Sequence, residues 1–216
     1  MVLLIKNGKK PDEAYNAALS YLLPADGPYG NFQLKFIKII QRLDEANRKI
    51  IDSHTFWTAC KTSDGFIPPN AHERHVFSNE EAIYMLRRAA DELVSLIWCL
   101  SKYEETNQYP TKIKIDCVGS LLAQNEGSQN SIFKPHLEIM TLLNEIANAF
   151  KHSFINSAHT LLGENEPCIH ALSLNYNKLS SEAVFHNVSL KFVVEKYNDF
   201  YNDCNIWLSE YSERNR

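Results

Sequence analysis

Apolar side chains recur every three or four residues in four long segments of this 216-residue chain, and this spacing constrains the fold more than any other feature. Residues three and four apart lie on one side of an α-helix, so each segment is predicted to be a helix with one apolar stripe. The first two stripes comprise Phe36, Ile37, Ile40, Leu43, Ile50, Ile51 and Trp57, and then Ala82, Leu86, Ala89, Leu93, Leu96, Ile97 and Leu100. The last two comprise Ile139, Leu143, Ile146, Ala147, Phe150 and Phe154, and then Phe192, Val193, Tyr197, Phe200, Cys204, Trp207, Leu208 and Tyr211. Because such stripes leave water by packing against each other, we predict a mainly α fold, an up-and-down bundle of four to five long helices.

Prolines, glycines and capping residues predict where the helices begin and end. Helices are expected over about residues 12–22, 32–61, 118–124 and 189–211, and two more are expected to begin at Ser78 and at Pro135. Ser78 and Glu81 have the spacing of a capping box, in which each side chain accepts a hydrogen bond from the other's backbone N–H. Residues 24–31 and 63–77 contain Pro and Gly and are expected to form loops.

One segment near the end of the chain departs from helical spacing. Ile169, Ala171 and Ser173 alternate with other residues in a strand-like pattern, and a second strand-like run covers residues 183–186. The residues between the two runs are typical of turns, so we predict an antiparallel β-hairpin over about residues 168–187, inserted before the C-terminal helix. No flexible linker and no internal repeat divides the chain, so residues 1–216 are expected to form a single helical domain.

The charge balance is slightly acidic. Lys and Arg number 22 against 26 Asp and Glu, which gives a formal net charge of −4. This balance excludes a protein that binds phosphate backbones through a global basic field. A local basic strip on the first long helix is either its solvent face or a contact for phosphate, and it comprises Lys35, Lys38, Arg42, Arg48 and Lys49. On the second long helix, two ion pairs with i,i+4 spacing are expected opposite the apolar stripe, Arg87 with Asp91 and Arg88 with Glu92.

Cysteine number and apolar run length indicate the compartment. The five cysteines are odd in number and include no C-x-x-C pair, so neither a disulfide framework nor a thiolate zinc site is expected. The apolar run at residues 2–5 is shorter than the core of a signal peptide. The longest apolar run, residues 96–100, is far shorter than the roughly 20 residues that span a bilayer. We therefore expect a cytoplasmic protein with no membrane partner.

A row of polar side chains on the helix that begins at Pro135 is the first candidate functional site. At 100° per residue, Thr141, Glu145, Asn148 and His152 fall within about 60° of one another, on the side away from the apolar stripe. Lys151 adds a cation at the same level. An imidazole beside an amide and a carboxylate can move a proton near neutral pH. Three interpretations stay open: a solvated helix face, a partner or dimer interface, and a catalytic centre.

Two weaker arrangements involve the other histidines. Arg48 precedes His54 with five residues between them, a spacing that seven arginines and eight histidines produce about once by chance. His72 and His75 flank Glu73 in a pattern that could hold a metal, but a third ligand is missing nearby, so no metal or cofactor is predicted. The chain also has no Gly-rich phosphate loop and no G-x-S-x-G motif, which disfavours nucleotide-fold enzymes and α/β-hydrolases.

The sequence NAFKH at residues 148–152, near the end of a late helix, resembles the HEPN-like proteins of prokaryotes. The resemblance covers residues from about 32 to 154. It implies a small helical bundle that acts as a toxin, a defence ribonuclease or an associated binding subunit. Active members of that group carry an arginine, four to six residues, and then a histidine, and two chains join so that both motifs line one cleft.

The resemblance implies two alternative functions. In a metal-free ribonuclease, His152 or His54 would take the proton of the ribose 2′-hydroxyl, and Arg48 or Lys151 would stabilise the charged phosphate. However, the positions five to seven residues before His152 hold no arginine; they are Ala147, Ile146 and Glu145. The first expectation is therefore a noncatalytic interaction or regulatory module of a defence or toxin–antitoxin system, with a protein partner or self-association. RNA cleavage is the alternative.

Overall fold

The computed structural model describes residues 2–7, 22–62, 70–123, 132–152, 165–174, 177–178, 180 and 182–215. Within these residues the helices are α1 Phe32–Thr62, α2 Ala71–Thr106, α3 Val118–Ala123, α4 Leu137–His152 and α5 Leu190–Arg214. The strands β1 Cys168–Leu174 and β2 Ala183–Ser189 form an antiparallel hairpin directly before α5. The predicted mainly α bundle with a hairpin before its last helix is confirmed.

Most of the predicted helix bounds agree with the structure. The first long helix, the short helix near residue 118 and the C-terminal helix lie where they were expected, and Pro135 lies in a 3₁₀ turn directly before α4. Residues 24–31 form the expected loop, in which Gly30 has a φ of 92°. The predicted helix over residues 12–22, apart from Leu22, lies outside the described residues, and so does Phe154.

The predicted start of the second long helix is wrong. Helix α2 begins at Ala71 rather than at Ser78, so the histidines of residues 72–75 lie in its first turns and not in a loop. Ser78 is buried inside the helix and caps nothing. The buried face of α2 continues through Ala71 and His75 at helical spacing, and a buried histidine does not count as apolar when a stripe is read from sequence.

The core lies where the apolar stripes meet. Helices α1 and α2 form the most extensive helix pair, and every predicted stripe position of α2 is buried. Most of the predicted stripe of α5 is buried as well, and the hydroxyl of Tyr197 donates a hydrogen bond to the carbonyl of Leu86 on α2, at 3.1 Å. No helix in the described part of the chain is both long and apolar enough to cross a bilayer.

Two asparagine side chains hold the N-terminal segment against the bundle. The amide of Asn47 on α1 accepts a hydrogen bond from Ile5 N at 2.7 Å and donates one to Ile5 O at 2.9 Å. The amide of Asn198 on α5 makes the equivalent pair, accepting from Lys6 N and donating to Leu4 O. Both side chains therefore take the place of a neighbouring strand for residues 4–6.

Asn47→Ala is expected to lower the free energy of unfolding by about 2 kcal/mol, because it leaves the buried N–H of Ile5 without a partner and removes one of the two hydrogen bonds to the C=O of Ile5, which keeps the bond from Asn7 N. The control is Asn202→Ala on α5, an exposed asparagine, for which we expect a change within about 0.5 kcal/mol. Urea unfolding followed by circular dichroism measures both values. Equal losses in the two variants would show that Asn47 does not hold the segment.

Candidate functional site

A groove of about 900 Å³ lies between the C-terminal half of α4 and the hairpin. Helix α4 contributes Glu145, Asn148, Ala149 and His152, and the hairpin region contributes Ser173, Leu174, Asn177, Glu182, Val184 and His186. Three of the four residues in the predicted polar row therefore line one groove. Thr141, the fourth, lines a shallower groove of about 490 Å³ that shares Glu145 with the first.

The apolar face of α4 determines where the polar row points. Ile139, Leu143 and Ile146 are buried in the core, so the opposite side of the helix carries Glu145 and Asn148 into solvent. The end of the helix is tied to the hairpin turn, because the side-chain amide of Asn177 donates a hydrogen bond to the carbonyl of His152 at 2.9 Å. The groove is thus a product of helix periodicity and of the packing of the hairpin against α4, to which this hydrogen bond adds.

The strand register determines which hairpin residues face α4. Ala171 is buried and pairs with His186, while Ser173 pairs with Val184. Paired residues of antiparallel strands share a face, and alternate residues along a strand do too. His186 and Val184 therefore lie on the hairpin face that packs towards α4, and the groove holds two histidines, His152 and His186.

The described lining of the groove is acidic. It contains two carboxylates, Glu145 and Glu182, and neither Lys nor Arg. Neither carboxylate forms an ion pair with any residue in the described ranges. Lys151 is exposed at the end of α4 but is not among the lining residues. Two unpaired carboxylates favour a cationic ligand and disfavour a phosphate.

Neither Arg48 nor His54 is among the residues that line the groove. The two also do not lie together on α1. Six residues on a helix turn through about 240° and rise about 9 Å, so the two side chains leave α1 in different directions. Arg48 forms ion pairs with Asp44 at 3.2 Å and with Glu45 at 2.8 Å. Burial lowers the pKa of His54, an effect that the carboxylate of Glu166 opposes.

The basic strip of α1 is largely neutralised. Besides the two ion pairs of Arg48, the structure pairs Arg42 with Glu92 at 3.0 Å and Lys49 with Glu81 at 2.7 Å. Cations that already have carboxylate partners attract phosphate less strongly. The strip is therefore a poor contact for an RNA backbone.

His75 is a buried structural residue. Its Nδ1 donates to the carbonyl of Ser53 at 3.1 Å, and its Nε2 accepts from the amide of Asn79 at 3.3 Å. The same Asn79 amide donates to the carbonyl of Cys168 on β1 at 3.1 Å. Both ring nitrogens are occupied, so His75 is unsuited to metal binding. Among the described residues, no group of three or more His, Cys, Asp or Glu could hold a metal ion.

Sequence reasoning missed the hairpin side of the groove. His186, Glu182 and Asn177 were not singled out, since residues 177–186 carry no catalytic motif. The alternation of Val184, His186 and Val188 was the available signal, because it places His186 on one strand face with two valines. Only the packing of β1 against α4 shows that this face meets the polar row.

Comparisons with known proteins add no functional assignment. No protein-family model, curated protein or solved structure significantly matches this chain. The HEPN-like resemblance therefore stays a prediction, and the functional proposal depends on the geometry and charge of the groove.

Proposed function

We propose that this protein is a noncatalytic interaction module that binds a partner protein through the groove between α4 and the hairpin. The observation that carries the proposal is the acidic lining, with Glu145 and Glu182 unpaired and no Lys or Arg among the described lining residues. Such a groove attracts a basic or amide-rich protein segment and repels a phosphate backbone. With the HEPN-like resemblance, this indicates a cytoplasmic binding or regulatory subunit of a bacterial defence or toxin–antitoxin system.

The composition of the lining also suits a protein segment. Leu174 and Val184 offer apolar contacts, while Asn148 and His186 supply hydrogen-bonding groups. Recognition of a protein combines apolar area with a few polar groups that set orientation. The partner can also be a second copy of the chain. In that case the two copies associate through this same surface, as in the dimers of HEPN-like proteins.

A metal-independent HEPN-like ribonuclease is the second candidate, and one observation favours it. His152 and His186 line the same groove, so a general base and a general acid are both available. The cation that would stabilise the phosphate is missing from the described lining, since Arg48 is ion-paired on α1. Lys151 is the cation next to His152 in sequence. The acidic lining places this function second.

Site-specific cross-linking tests the proposed function. A photo-reactive residue is introduced at Asn148 in the groove and, as the control, at the exposed Arg88 on α2. We expect a protein to be cross-linked from position 148 and not from position 88, and Glu145→Lys to weaken binding of that purified protein by at least about tenfold. Cross-linking from both positions, or unchanged affinity of Glu145→Lys, contradicts the proposal.

The ribonuclease alternative is tested in parallel. Purified protein is incubated with single-stranded RNA in the presence of a chelator, together with His152→Ala and His186→Ala. The enzyme would be favoured over the interaction module if the wild type cleaves the RNA, both substitutions abolish cleavage, and both variants keep the melting temperature of the wild type. No cleavage over a broad pH range agrees with the interaction module.

A further inference from the structure

The acidic groove and the shallower groove beside it share both of their walls. On α4, the polar row of the acidic groove continues at helical spacing to Thr141 in the shallower groove, and Glu145 lines both. On β2, Val184 and His186 line the acidic groove, and Val188, the next residue on the same strand face, lines the shallower one. The two grooves together therefore form one trough along α4.

The two ends of this trough differ in chemistry. The acidic end contains the unpaired carboxylates of Glu145 and Glu182, and its described lining includes neither Lys nor Arg. At the other end, the carboxylate of Glu138 lies 3.9 Å from Nζ of Lys196, which neutralises it. Most of the lining at that end is apolar and comprises Leu137, Leu142, Val188 and Phe192. The trough therefore changes from anionic to apolar along its length.

The apolar end restricts the conformation of a protein segment that binds there. Apolar side chains offer no hydrogen bonds, so a segment buried against them has to pair its own backbone N–H and C=O groups. An α-helix does this within one segment, whereas an extended segment does not. The lining residues of α4 run from Leu137 to His152, which is about 22 Å along the helix axis. That length matches an occupant of about four helical turns.

We infer that the partner places an amphipathic helix in the trough, and that one face of this helix is apolar at one end and basic at the other. The basic side chains pair with Glu145 and Glu182, and the apolar ones contact Leu142, Val188 and Phe192. This inference rests on the proposed function, since it specifies what the partner places in the same groove. Burial of the apolar side chains supplies affinity, and the position of the basic ones sets the direction of the helix.

Other occupants match the trough less well. An RNA brings phosphates, which the two carboxylates repel. A small cation fills the acidic end and leaves the apolar end uncovered. A second copy that docks trough to trough brings no cation of the lining to Glu145 and Glu182, because the described lining of both grooves contains no Lys or Arg. Each of these occupants is an outcome of the experiments that would overturn the inference.

The probe is a fluorescent alanine-based peptide of about four helical turns, with leucines in the first half of one face and lysines in the second half. Its binding to the full chain is followed by anisotropy. Three control peptides change one property each: glutamate replaces lysine, the leucines and lysines are distributed around the helix, or D-alanine replaces alanines on the opposite face to reduce helix formation. We expect the probe to bind at least about tenfold more tightly than each control. Equal affinity of the D-alanine peptide would show that no helix is required.

Two variants and a matched control test the apolar end. Leu142→Asp is expected to weaken binding of the probe at least about tenfold, because it places a charge against the leucines of the peptide. The control is Leu34→Asp on α1, where the side chain is 62% exposed and lines neither groove, and the affinity is expected to stay the same. Thr141→Arg fills the shallower groove from its half-exposed rim and is expected to cause the same loss. It keeps the test decisive if Leu142→Asp does not fold, and unchanged affinity of Thr141→Arg contradicts the inference.

Photo-cross-linking locates the bound peptide. A photo-reactive residue in its leucine half is expected to react with residues 137–142 or 188–192, and one in its lysine half with residues 145–152 or 182–186. The reverse assignment, no binding of the probe, or exclusion of the probe by a dimer of the chain overturns the inference. So does displacement of the probe by single-stranded RNA or by the polyamine spermine at lower concentrations than the unlabelled peptide requires.

Failure of this inference is distinguishable from failure of the proposed function. The proposed function fails when no protein is cross-linked specifically from position 148. To test the trough, a photo-reactive residue is also introduced at position 141, and we expect it to capture the same partner. A partner captured from position 148 and not from position 141 contradicts only the inference of a helix along the whole trough.

Discussion

Arg87→Ala is expected to lower the free energy of unfolding by about 3 kcal/mol, whereas Arg88→Ala is expected to change it by less than about 0.5 kcal/mol. The two arginines are neighbours on α2, and each forms an ion pair with a carboxylate four residues later. The pair of variants therefore keeps the residue type, the substitution and the helix constant, while burial and the further partners of each ion pair differ.

Burial separates the two ion pairs. The side chains of Arg87 and Asp91 are 13% and 17% exposed, whereas that of Arg88 is 61% exposed. Burial lowers the pKa of Arg87, which nevertheless remains a charged group beside Asp91. Removing one member of a buried pair leaves the other charge without compensation in a poorly solvated site. Removing Arg88 replaces an exposed cation by water, and its partner Glu92, which is 13% exposed, keeps its ion pair with Arg42 at 3.0 Å.

Arg87 also connects three helices. Its Nη2 donates to Oδ1 of Asn144 on α4 at 2.9 Å, and its partner Asp91 accepts a hydrogen bond from the backbone N–H of Val118 at the start of α3, at 2.7 Å. Urea unfolding of the wild type and both variants measures the difference in the free energy of unfolding. An unchanged dependence of that free energy on urea concentration checks that unfolding stays two-state. Similar losses in Arg87→Ala and Arg88→Ala would contradict the role assigned to burial.

His75→Ala is expected to lower the free energy of unfolding by about 3 kcal/mol at pH 8, because it creates a cavity and removes the hydrogen bonds by which the buried ring links α1 to α2. The carbonyl of Ser53 and the amide of Asn79 lose their contacts with the ring. The control is His72→Ala, one turn earlier on α2 and only half-buried, for which a change within about 0.5 kcal/mol is expected. A loss as large in His72→Ala would show that the first turns of α2 matter more than the buried ring.

The effect of His75 is expected to depend on pH. Burial lowers its folded-state pKa below the ordinary value of 6.5, an effect that the Ser53 carbonyl partly opposes and that nearby His72, His170 and His54 reinforce. The unfolded chain therefore binds a proton on His75 before the folded chain does, and stability falls as the pH falls below about 6.5. The slope reaches at most about 1.4 kcal/mol per pH unit for this one group.

The difference between wild type and His75→Ala isolates this group, because the other titrating residues are common to both proteins. We expect the stability difference to be constant above pH 7 and to narrow as the pH is lowered from 7 towards 5.5. Urea unfolding at several pH values measures it. A difference that stays constant or widens on acidification would show that the folded state accepts the proton on His75 without cost.

Arg87 and His75 show where prediction from sequence succeeded and where it failed. Helical spacing predicted both ion pairs of α2, since i,i+4 residues are neighbours whatever the helix packs against. The spacing did not predict that α3 and α4 cover Arg87, because that depends on the path of the chain after α2. His75 was assigned to a loop because a polar residue at a buried position interrupts an apolar stripe.

The residues that line the groove also fall into two sets: those that the sequence predicted and those that only the tertiary structure shows. Glu145, Asn148 and His152 were predicted to share a helix face, and they line one groove because the apolar stripe of α4 faces the core. Their hairpin partners, His186 and Glu182, follow from the register of β1 with β2 and from the packing of β1 on α4. Residues close in space and separated by more than 30 positions leave no local pattern.

Periodicity along the chain therefore determined the helices, the hairpin and the outward face of α4, since these depend on residues only a few positions apart. The tertiary structure alone decided that this face meets the hairpin to form an acidic groove, that Arg87 is buried while Arg88 is exposed, and that His75 links two helices. Each of these depends on contacts between distant segments, which are set by how complete surfaces fit together and not by the spacing within any one of them.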